Sequence, residues 1–355
     1  MAKDRIISAA ATDADTLADE QPINYTLRPK KLNEYIGQRE LVEKLAIALQ
    51  AARERSDPME HVLLHGPPGL GKTTLAHVIA EEMGTHAYVT SGPALTKGAD
   101  LVGTLTKMAA HDILFIDEIH RLPVAVEEYI YPAMEDFKID FTLDSGMHAK
   151  VITYHLKPFT LIGATTRAGL LTGALRSRFG LTHHLQFYSE ADLLAILRRA
   201  ADKLAMQSTS PQRAIDDKSL KEIAQRSRGT PRVTLRLLRR VRDFAQVRAK
   251  SKVDHRVIED AMALEGVDEL GLDNLDRSYL RTIANVYQGG PVGLEAIAAT
   301  LGEDSLTLED VVEPYLLQIG FLARTRQGRR LTAKAAEHLN LEWRPSESET
   351  LFAAE

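Results

Sequence analysis

The chain has 355 residues, of which 44% are hydrophobic and 26% are charged, and its formal net charge is −5. At roughly 150 residues per domain, this length predicts two or three domains, and the composition is typical of a globular chain with a large core. The sequence has no cysteine, which excludes disulfides, thiolate nucleophiles and Cys-based metal sites.

The amino-terminal residues predict neither a signal peptide nor a membrane anchor. The apolar run 6–11 is short and acids follow it, and no stretch approaches the ~18 uninterrupted apolar residues of a membrane-spanning helix. We therefore expect a cytoplasmic protein that begins with a loosely ordered arm over residues 1–25. The negative net charge excludes a uniformly basic nucleic-acid coat, but residues 226–256 contain eleven Arg or Lys against two acids.

Strand-like runs, the first of them short and apolar, follow a predicted helix over residues 41–52, where apolar residues recur at steps of three and four. The runs are HVLLH (61–65), HAYVT (86–90), ILFI (113–116), TLIGA (160–164) and LTHHLQF (181–187). Helical or loop segments separate them. Buried strands that alternate with helices predict an α/β domain with a parallel sheet.

One insertion, residues 137–156, breaks this alternation. FKIDFTL (137–143) alternates apolar and polar residues, turn-forming residues follow at 144–146, and VITYHL (151–156) completes a predicted β-hairpin. Its apolar face consists of Phe137, Ile139, Phe141 and Leu143. Such a face must be buried against its own domain or against a partner, and both alternatives stay open.

The chain becomes helical and basic after Glu190, and the acidic, turn-rich segment 265–276 marks a further boundary. Apolar steps of three and four then predict two short amphipathic helices over 294–301 and 312–319. FLART, RQG and RRLT (321–332) follow as a predicted strand, turn and strand. Helices followed by a small hairpin predict a winged-helix module.

The second of these helices begins with acids, whereas the hairpin is basic. Thr307 and Asp310 form a capping-box-like start, and Glu309, Asp310 and Glu313 would repel phosphates, so we do not expect this helix to enter a DNA groove. The hairpin instead carries Arg324, Arg326, Arg329 and Arg330 around a Gln-Gly turn. These arginines predict phosphate contacts without base readout, although a solvated, charged turn is the alternative.

A phosphate-binding loop is the clearest motif of the chain. Residues 66–73 match GxxxxGK[ST] in full, after a predicted strand and before a predicted helix. Glycines at Gly66, Gly69 and Gly71 let backbone N–H groups surround phosphate oxygens, and the helix start adds partial positive charge. Lys72 would reach the β- and γ-phosphates, and Thr73 would hold Mg²⁺.

Two acids follow the apolar run ILFI, where strand ends meet ligands in an open parallel sheet. Asp117 is predicted to bind Mg²⁺, and Glu118 is predicted to orient and deprotonate the attacking water. A pair of helix-capping acids is the alternative. TLIGATTR ends a further strand at Thr165, Thr166 and Arg167. A hydroxyl there, for which we choose Thr165, could hold the water or the γ-phosphate, and an ordinary strand-to-loop cap is the alternative.

Two arginines are predicted to complete the site. Arg178 in LRSRFG could neutralise charge on the γ-phosphate, as guanidinium groups from neighbouring subunits do in other phosphoryl-transfer enzymes. Arg232 in RGTPR begins a basic helical stretch. For each arginine taken alone, a solvated surface position is the alternative.

The whole set of motifs resembles the AAA+ ATPases, and within them the RuvB family of bacterial motors that drive Holliday-junction branch migration. The motifs are GPPGLGKTTLA, LFIDEIHRL, YPAMEDF, FTLIGATTRAG, LRSRFG, RGTPR and GGPVGLEAIA. The resemblance covers about residues 22–340, with extra length around 205–215. It implies an AAA+ P-loop ATPase domain over 26–189, a helical lid over 190–265 and a winged-helix DNA-binding head over 266–342. Residues 343–355 lie outside the resemblance and are predicted to form a disordered tail.

The same resemblance implies site residues and partners. The nucleotide contacts would be Leu27, Arg28, Gly66, Gly69, Gly71, Lys72, Thr73, Thr74, Glu135, Asp136, Phe137, Tyr188 and Arg232. Glu118, Thr165 and the trans-acting Arg178 would be catalytic, Thr73 and Asp117 would bind Mg²⁺, and Arg324, Arg326 and Arg329 would contact DNA. The implied motor is an ATP-hydrolysing homohexamer on duplex DNA and four-way junctions. It would act in recombination, DNA repair and the SOS response, with RuvA on the 137–156 hairpin and the resolvase RuvC.

Two other functions share such an ATPase core: a protein remodeller or clamp loader, and a nucleotide-dependent switch without turnover. The winged-helix pattern with its basic hairpin favours a DNA translocase over a remodeller. Glu118 and Arg178 together disfavour a switch, because a switch needs neither a general base nor an arginine finger.

Overall fold

The computed structural model describes residues 27–142, 151–206, 215–249 and 253–341. The predicted arm (1–25), the tail (343–355) and most of the 205–215 stretch lie outside these residues. Among the described residues, no helix combines the length and the apolar character needed to cross a membrane.

Nine strands form three sheets in the described residues. In chain order they are β1 Val62–His65, β2 Ala87–Ser91, β3 Ile113–Asp117, β4 Lys138–Thr142, β5 Val151–His155, β6 Thr160–Thr165, β7 Leu181–His184, β8 Leu322–Thr325 and β9 Gly328–Leu331. The main sheet has the order β2-β3-β6-β1-β7, and all its neighbouring strands are parallel. The predicted α/β fold with a parallel sheet is confirmed.

Helices cover both faces of the main sheet, because successive strand residues point to opposite sides. Leu63 and Leu64 illustrate this: they are adjacent in β1, fully buried, and belong to different apolar clusters. The helices of this part are Arg39–Arg55, Lys72–Met83, Gly98–Leu105, Val124–Glu135 and Gly173–Arg176, with 3₁₀ turns at Leu32–Glu34, Gly92–Ala94, Ile119–Arg121 and Ala168–Leu170.

A helical unit follows and shares its core with one face of the sheet. Its helices are Glu190–Met206, Asp217–Gln225, Pro231–Arg248 and His255–Leu264. Leu197, Ile223 and Leu238 are buried in the same cluster as Leu64 of β1. This shared core, together with the hydrogen bond from the Arg232 N–H to the Gly69 carbonyl, holds the unit beside the phosphate-binding loop.

The carboxy-terminal unit has a separate core around Tyr279 and Phe321. It contains helices Asn274–Asn285, Leu294–Leu301, Ser305–Thr307, Glu313–Gln318 and Ala333–His338, a π-helical turn Leu308–Val312, and the β8–β9 hairpin. This is the predicted winged-helix head.

The predicted start of the head's acidic helix was wrong. The helix begins at Ser305, because the Asp304 carboxylate accepts a hydrogen bond from the Thr307 backbone N–H (3.0 Å). The Thr307–Asp310 pair therefore lies inside the helix and caps nothing, and Asp310 has a different partner, described below.

The helical unit and the head are joined by an arginine with two acids. Arg228 Nη2 lies 2.7 Å from Asp273 Oδ2 and 2.5 Å from Asp276 Oδ2, and its Nε donates to the Gly271 carbonyl (2.6 Å). Burial raises the pKa of Asp276 to about 7, since two carboxylates here share one cation.

The predicted hairpin is present as β4 and β5, paired antiparallel from Lys138↔His155 to Thr142↔Val151. Part of its apolar face is buried against its own domain. Ile139 is fully buried in the apolar cluster that contains Leu63, and Phe137 packs against the same cluster. The side chains of Phe141 and Leu143 lie outside the described part. Exposed apolar surface on the hairpin comes from Ile152 and Tyr154 of β5.

Candidate functional site

The phosphate-binding loop joins β1 to the helix Lys72–Met83. Gly66, Gly69 and Gly71 have φ values of +137°, +80° and +97°. At Gly71 a Cβ atom would also lie 2.7 Å from the Tyr35 hydroxyl. Both the positive φ and this close approach therefore exclude a side chain at this position. The helix receives no side-chain cap from the described residues. Its first N–H groups and the positive end of its dipole therefore face the loop, as an anion site requires.

Lys72 lies folded along this loop. Its Nζ donates to the carbonyl oxygens of Gly66 (2.7 Å) and Pro67 (2.9 Å), and the residue is 7% exposed. Thr73 and Thr74 follow on the first helical turn and are half-buried. The cation and the two hydroxyls are thus placed at one end of one helix.

The acid pair lies at the carboxyl end of β3, at the same edge of the sheet. Burial lowers the pKa of Lys72, while Asp117 and Glu118 act in the opposite direction, so the three groups share one electrostatic site. Glu118 has φ +45°, which turns its side chain away from the strand direction. Its Oε2 lies 3.2 Å from His120 Nδ1 and accepts a hydrogen bond from the Thr166 hydroxyl (3.4 Å).

The structure corrects the choice of hydroxyl at the end of β6. Thr165 is fully buried, and its Oγ1 lies 2.8 Å from His120 Nδ1 and accepts from the Arg167 N–H (2.9 Å). It therefore supports the site from behind. Thr166, half-buried and bonded to Glu118, is the hydroxyl that faces the acid pair. Strand alternation separates the two threonines onto opposite sides, and sequence alone did not say which side was inward.

The helical unit reaches the loop directly. The Arg232 N–H donates to the Gly69 carbonyl (3.3 Å), and the Arg232 side chain is exposed. The Tyr188 hydroxyl donates to the Leu70 carbonyl (3.2 Å) and lies 3.1 Å from the Tyr35 hydroxyl. Arg232 and Tyr188 are thus brought to the loop, as their predicted roles require. Tyr35, which also contacts the loop, was missed because a lone tyrosine carries no motif signal.

Leu27 and Arg28 lie at the beginning of the described chain. Leu27 is 6% exposed and belongs to the apolar cluster that contains the helix after the loop. Burial, and after it Arg28, lowers the pKa of His77 in that helix. Both residues therefore lie near the helix that follows the phosphate-binding loop.

Arg178 has its contacts elsewhere in its own subunit. Its Nη2 lies 3.0 Å from Glu135 Oε1, its Nη1 donates to the Ala174 carbonyl (2.6 Å), and its guanidinium lies 4.4 Å from the centre of the Tyr131 ring. None of these contacts involves the loop. The structure thus places the Arg178 guanidinium against Glu135 and Tyr131, away from the loop of its own subunit.

The predicted nucleotide contacts Glu135, Asp136 and Phe137 are not brought to the loop of their own subunit. Phe137 packs edge-on against His61 and Phe159, which precede β1 and β6. Because the loop follows β1, these residues lie at the opposite edge of the sheet. Asp136 is paired with Lys138 (2.7 Å), and Glu135 is paired with Arg178. The structure therefore does not bring these three residues to the phosphate-binding loop of the chain that carries them.

In the head, two of the predicted DNA-contacting arginines surround a buried carboxylate. Glu313 is fully buried and accepts hydrogen bonds from Tyr279 Oη (2.6 Å), Arg324 Nε (2.7 Å) and Arg329 Nε (2.8 Å). Burial raises the pKa of Glu313, but the hydrogen bonds from these three side chains outweigh it and the net shift is downward. The Arg324 side chain is 42% exposed and the Arg329 side chain 19%. Arg326 is exposed and makes no ion pair with any described residue.

The nucleotide site fits ATP with Mg²⁺. The glycines with positive φ, the uncapped helix start and Lys72 suit phosphate oxygens. The half-buried hydroxyl of Thr73 and the carboxylate of Asp117 offer the oxygen ligands that Mg²⁺ prefers. Glu118 lies beside them with its own hydrogen-bond partners. One edge of the sheet thus brings together a loop suited to phosphate, two oxygen groups suited to Mg²⁺ and a candidate for the general base.

Three family models match consecutive parts of the chain. They describe the Holliday junction DNA helicase RuvB P-loop domain at residues 27–185, the RuvB AAA lid domain at 188–268 and the RuvB C-terminal winged helix domain at 269–340. The chain belongs to the RuvB family. The predicted family and fold class are confirmed.

Relatives of the RuvB family match over nearly the whole length. The chain is 54% identical to the Holliday junction branch migration complex subunit RuvB of Desulfosudis oleivorans over 337 residues, which cover 95% of this chain and 96% of the relative. It is 53% identical to the RuvB subunit of Oenococcus oeni, over 93% and 95% of the two chains. The Thermotoga maritima RuvB Holliday junction branch migration motor superimposes with a TM-score of 0.80 at 49% identity, covering 90% of this chain and 99% of that structure.

Proposed function

We propose that this chain is an ATP-hydrolysing motor of the RuvB family that drives branch migration of Holliday junctions in recombination and DNA repair. The observation that carries the proposal is the continuous match of all three domains to this family. The assembled phosphate loop, acid pair and lid contact agree with ATP hydrolysis. The winged-helix head favours DNA over an unfolded protein as the substrate.

The phosphates of ATP would lie in the glycine loop. Lys72 would exchange its two loop carbonyls for β- and γ-phosphate oxygens, and the first N–H groups of its helix would bind the remaining oxygens. Thr73 and Asp117 would hold Mg²⁺, which supplies positive charge against the charge that develops on the phosphates. Tyr188 and Arg232 would report the presence of nucleotide to the lid through their contacts with the loop.

Hydrolysis would depend on Glu118 and its neighbours. Glu118 would accept a proton from the attacking water, a role worth roughly 10²–10⁴ in rate. The Thr166 hydroxyl would orient the same water or the γ-phosphate. Thr165 and His120 would hold Glu118 and the end of β6 in place, since His120 Nδ1 lies within hydrogen-bond distance of both.

A homohexameric ring would complete each site. Arg178 and Glu135 form a pair away from their own loop, so in a ring they would face the γ-phosphate and nucleotide of the next subunit, together with Asp136 and Phe137. This arrangement makes hydrolysis depend on a neighbour, which suits sequential firing around duplex DNA.

The head would hold DNA through its wing, defined here as β8, β9 and their turn. The exposed Arg326 would contact a DNA phosphate. Arg324 and Arg329 would each contact a phosphate while they keep hydrogen bonds to Glu313. The β4–β5 hairpin would dock RuvA through Ile152 and Tyr154, the complex would hand junctions to RuvC, and the protein would act in the cytoplasm.

The decisive experiment is ATP-dependent dissociation of a synthetic four-way junction, with and without the matching RuvA. We expect dissociation that requires ATP and Mg²⁺ and that is abolished by Lys72→Ala. A Tyr154→Glu variant should lose stimulation by RuvA while retaining ATP hydrolysis. Absence of dissociation in both mixtures would overturn the proposed function.

A further inference from the structure

Arg167 connects the ATPase domain to the winged-helix head. It directly follows Thr165 and Thr166 at the end of β6. Its Nε donates to both carboxylate oxygens of Asp310 (2.8 and 3.2 Å), and its Nη2 lies 2.9 Å from Glu309 Oε2. The Arg167 side chain is 21% exposed. A single guanidinium thus makes a forked contact with two acids of another domain, which is the geometry that fixes position as well as charge.

On the ATPase side, Arg167 belongs to the support of the hydrolytic acid. Its backbone N–H donates to Thr165 Oγ1 (2.9 Å), and that oxygen lies 2.8 Å from His120 Nδ1. His120 Nδ1 in turn lies 3.2 Å from Glu118 Oε2. A displacement of Arg167 therefore moves Thr165, whose hydroxyl contacts the His120 imidazole that faces the Glu118 carboxylate.

On the head side, Glu309 and Asp310 lie in a turn that is anchored in the head core. They lie in the π-helical turn Leu308–Val312, whose first and last residues are buried in the head core. Glu309 also lies 3.7 Å from Arg324 and 3.9 Å from Arg329 of the wing. The sequence suggested that these acids would repel DNA. In the structure they instead form ion pairs with arginines of the ATPase domain and of the wing.

We propose that Asp310 of the head, acting through Arg167, is a positioning residue for the hydrolytic side of the ATPase site. The inference rests on the proposed ATPase function and adds a contribution of the head to turnover. The head then does more than hold DNA: its orientation on the ATPase domain sets the geometry of the Thr165–His120–Glu118 chain. Loss of the contact leaves the phosphate loop intact, because Lys72, Thr73 and Arg232 have no part in it.

The test is steady-state ATPase kinetics of the full chain, with nucleotide affinity measured separately by a fluorescent ATP analogue. Asp310→Asn removes the charge and keeps the size, Asp310→Glu keeps the charge, and Arg167→Gln removes the other partner. Glu303→Gln is the matched control, because Glu303 is an exposed head acid near the same helix without an ion pair to the described residues.

For Asp310→Asn we expect kcat to fall roughly 10-fold, since small misplacements of reacting groups can cost up to ~10²-fold. The KM for ATP and the analogue's affinity should stay within about twofold, because the change affects the reaction and not binding. Asp310→Glu should restore most of the rate, and the double variant with Arg167→Gln should be no slower than Arg167→Gln alone.

The inference is overturned by a kcat for Asp310→Asn equal to that of the Glu303→Gln control. It is equally overturned by a loss of nucleotide affinity together with rate, which would indicate general damage, or by multiplicative effects in the double variant. These outcomes are distinct from failure of the proposed function, in which the unchanged chain would not hydrolyse ATP or Glu118→Gln would hydrolyse it normally.

Discussion

Replacing Arg329 by alanine should reduce the free energy of unfolding of the head by more than it reduces the free energy of DNA binding. Arg329 donates to Glu313 from Nε (2.8 Å) and from Nη2 (3.4 Å), and Glu313 is fully buried. The substitution removes one of the two cations that compensate this carboxylate. Arg324 and Tyr279 remain, so the charge is not left without partners.

The expected cost follows from these contacts. Breaking a buried pair so that a charge is left uncompensated costs about 3–5 kcal/mol, and a hydrogen bond to a charged group contributes about 1.5–3 kcal/mol. Because half of the cationic compensation persists, we expect about 2 kcal/mol for Arg329→Ala. For a head of the size matched at residues 269–340, this corresponds to a Tm decrease of roughly 10 °C if the head unfolds independently.

Differential scanning calorimetry of the full chain measures this effect. Arg326→Ala is the control, because Arg326 is exposed and should change stability by no more than about 0.5 kcal/mol. Adding Glu313→Gln to Arg329→Ala should recover part of the loss, since the amide carries no charge to compensate. Equal melting temperatures for Arg329→Ala and Arg326→Ala would refute the assignment of Arg329 to the buried pair.

Four further predictions concern catalysis, assembly, DNA and pH. Glu118→Gln should bind ATP normally and hydrolyse it about 10² times more slowly or worse; single-turnover rates within threefold of the unchanged chain would exclude it as the base. Arg178→Ala alone should lose hydrolysis, and mixing it with Lys72→Ala subunits should restore some ATPase activity in rings shown to be mixed, which would not occur if Arg178 acted within its own subunit. Arg326→Ala should weaken binding equally on unrelated duplexes and reduce the slope of log affinity against log salt by ~0.9; an unchanged slope and affinity would remove this residue from the interface. Burial raises the pKa of Asp276 from its ordinary value of 3.8 to about 7, so between these pH values the folded state retains a proton that the unfolded state releases. Stability from this group is therefore present at low pH and is lost as pH rises through about 7; Asp276→Asn should flatten that dependence in urea unfolding at pH 5 and 7.5, and an unaltered dependence would contradict the assignment.

The elements that sequence predicted correctly are those fixed by neighbours along the chain. The central strands β1, β3 and β6 are runs of mainly apolar residues that are buried on both faces, so their composition alone identifies them. The phosphate loop is specified by its glycines and by Lys72 within eight positions. Asp117 and Glu118 follow a buried strand directly, and the direction of parallel strands places them at the ligand edge.

The features that sequence could not predict depend on distant pairing. Thr165 and Thr166 differ only in which side of β6 they occupy, and burial of one requires knowledge of His120 and of the β1 register. Glu135, Asp136 and Phe137 belong to the motif YPAMEDF, which resembles the family. They nevertheless lie where the parallel strands begin, whereas the phosphate-binding loop lies where β1 ends. Glu313 lies eleven residues before Arg324 in the chain, so its neutralising role depends on the packing of helix against hairpin.

The buried carboxylate beneath the wing has a consequence for movement along DNA. A protein that advances over phosphates must release each one, and a guanidinium leaving a phosphate for bulk solvent loses a charged partner at every step. Arg324 and Arg329 have Glu313 within hydrogen-bond distance, so each can trade one oxygen anion for another while it lets go. In the proposed motor, partner exchange of this kind would lower the barrier to phosphate release while the protein stays attached, so the wing would bind DNA weakly enough to slide along it.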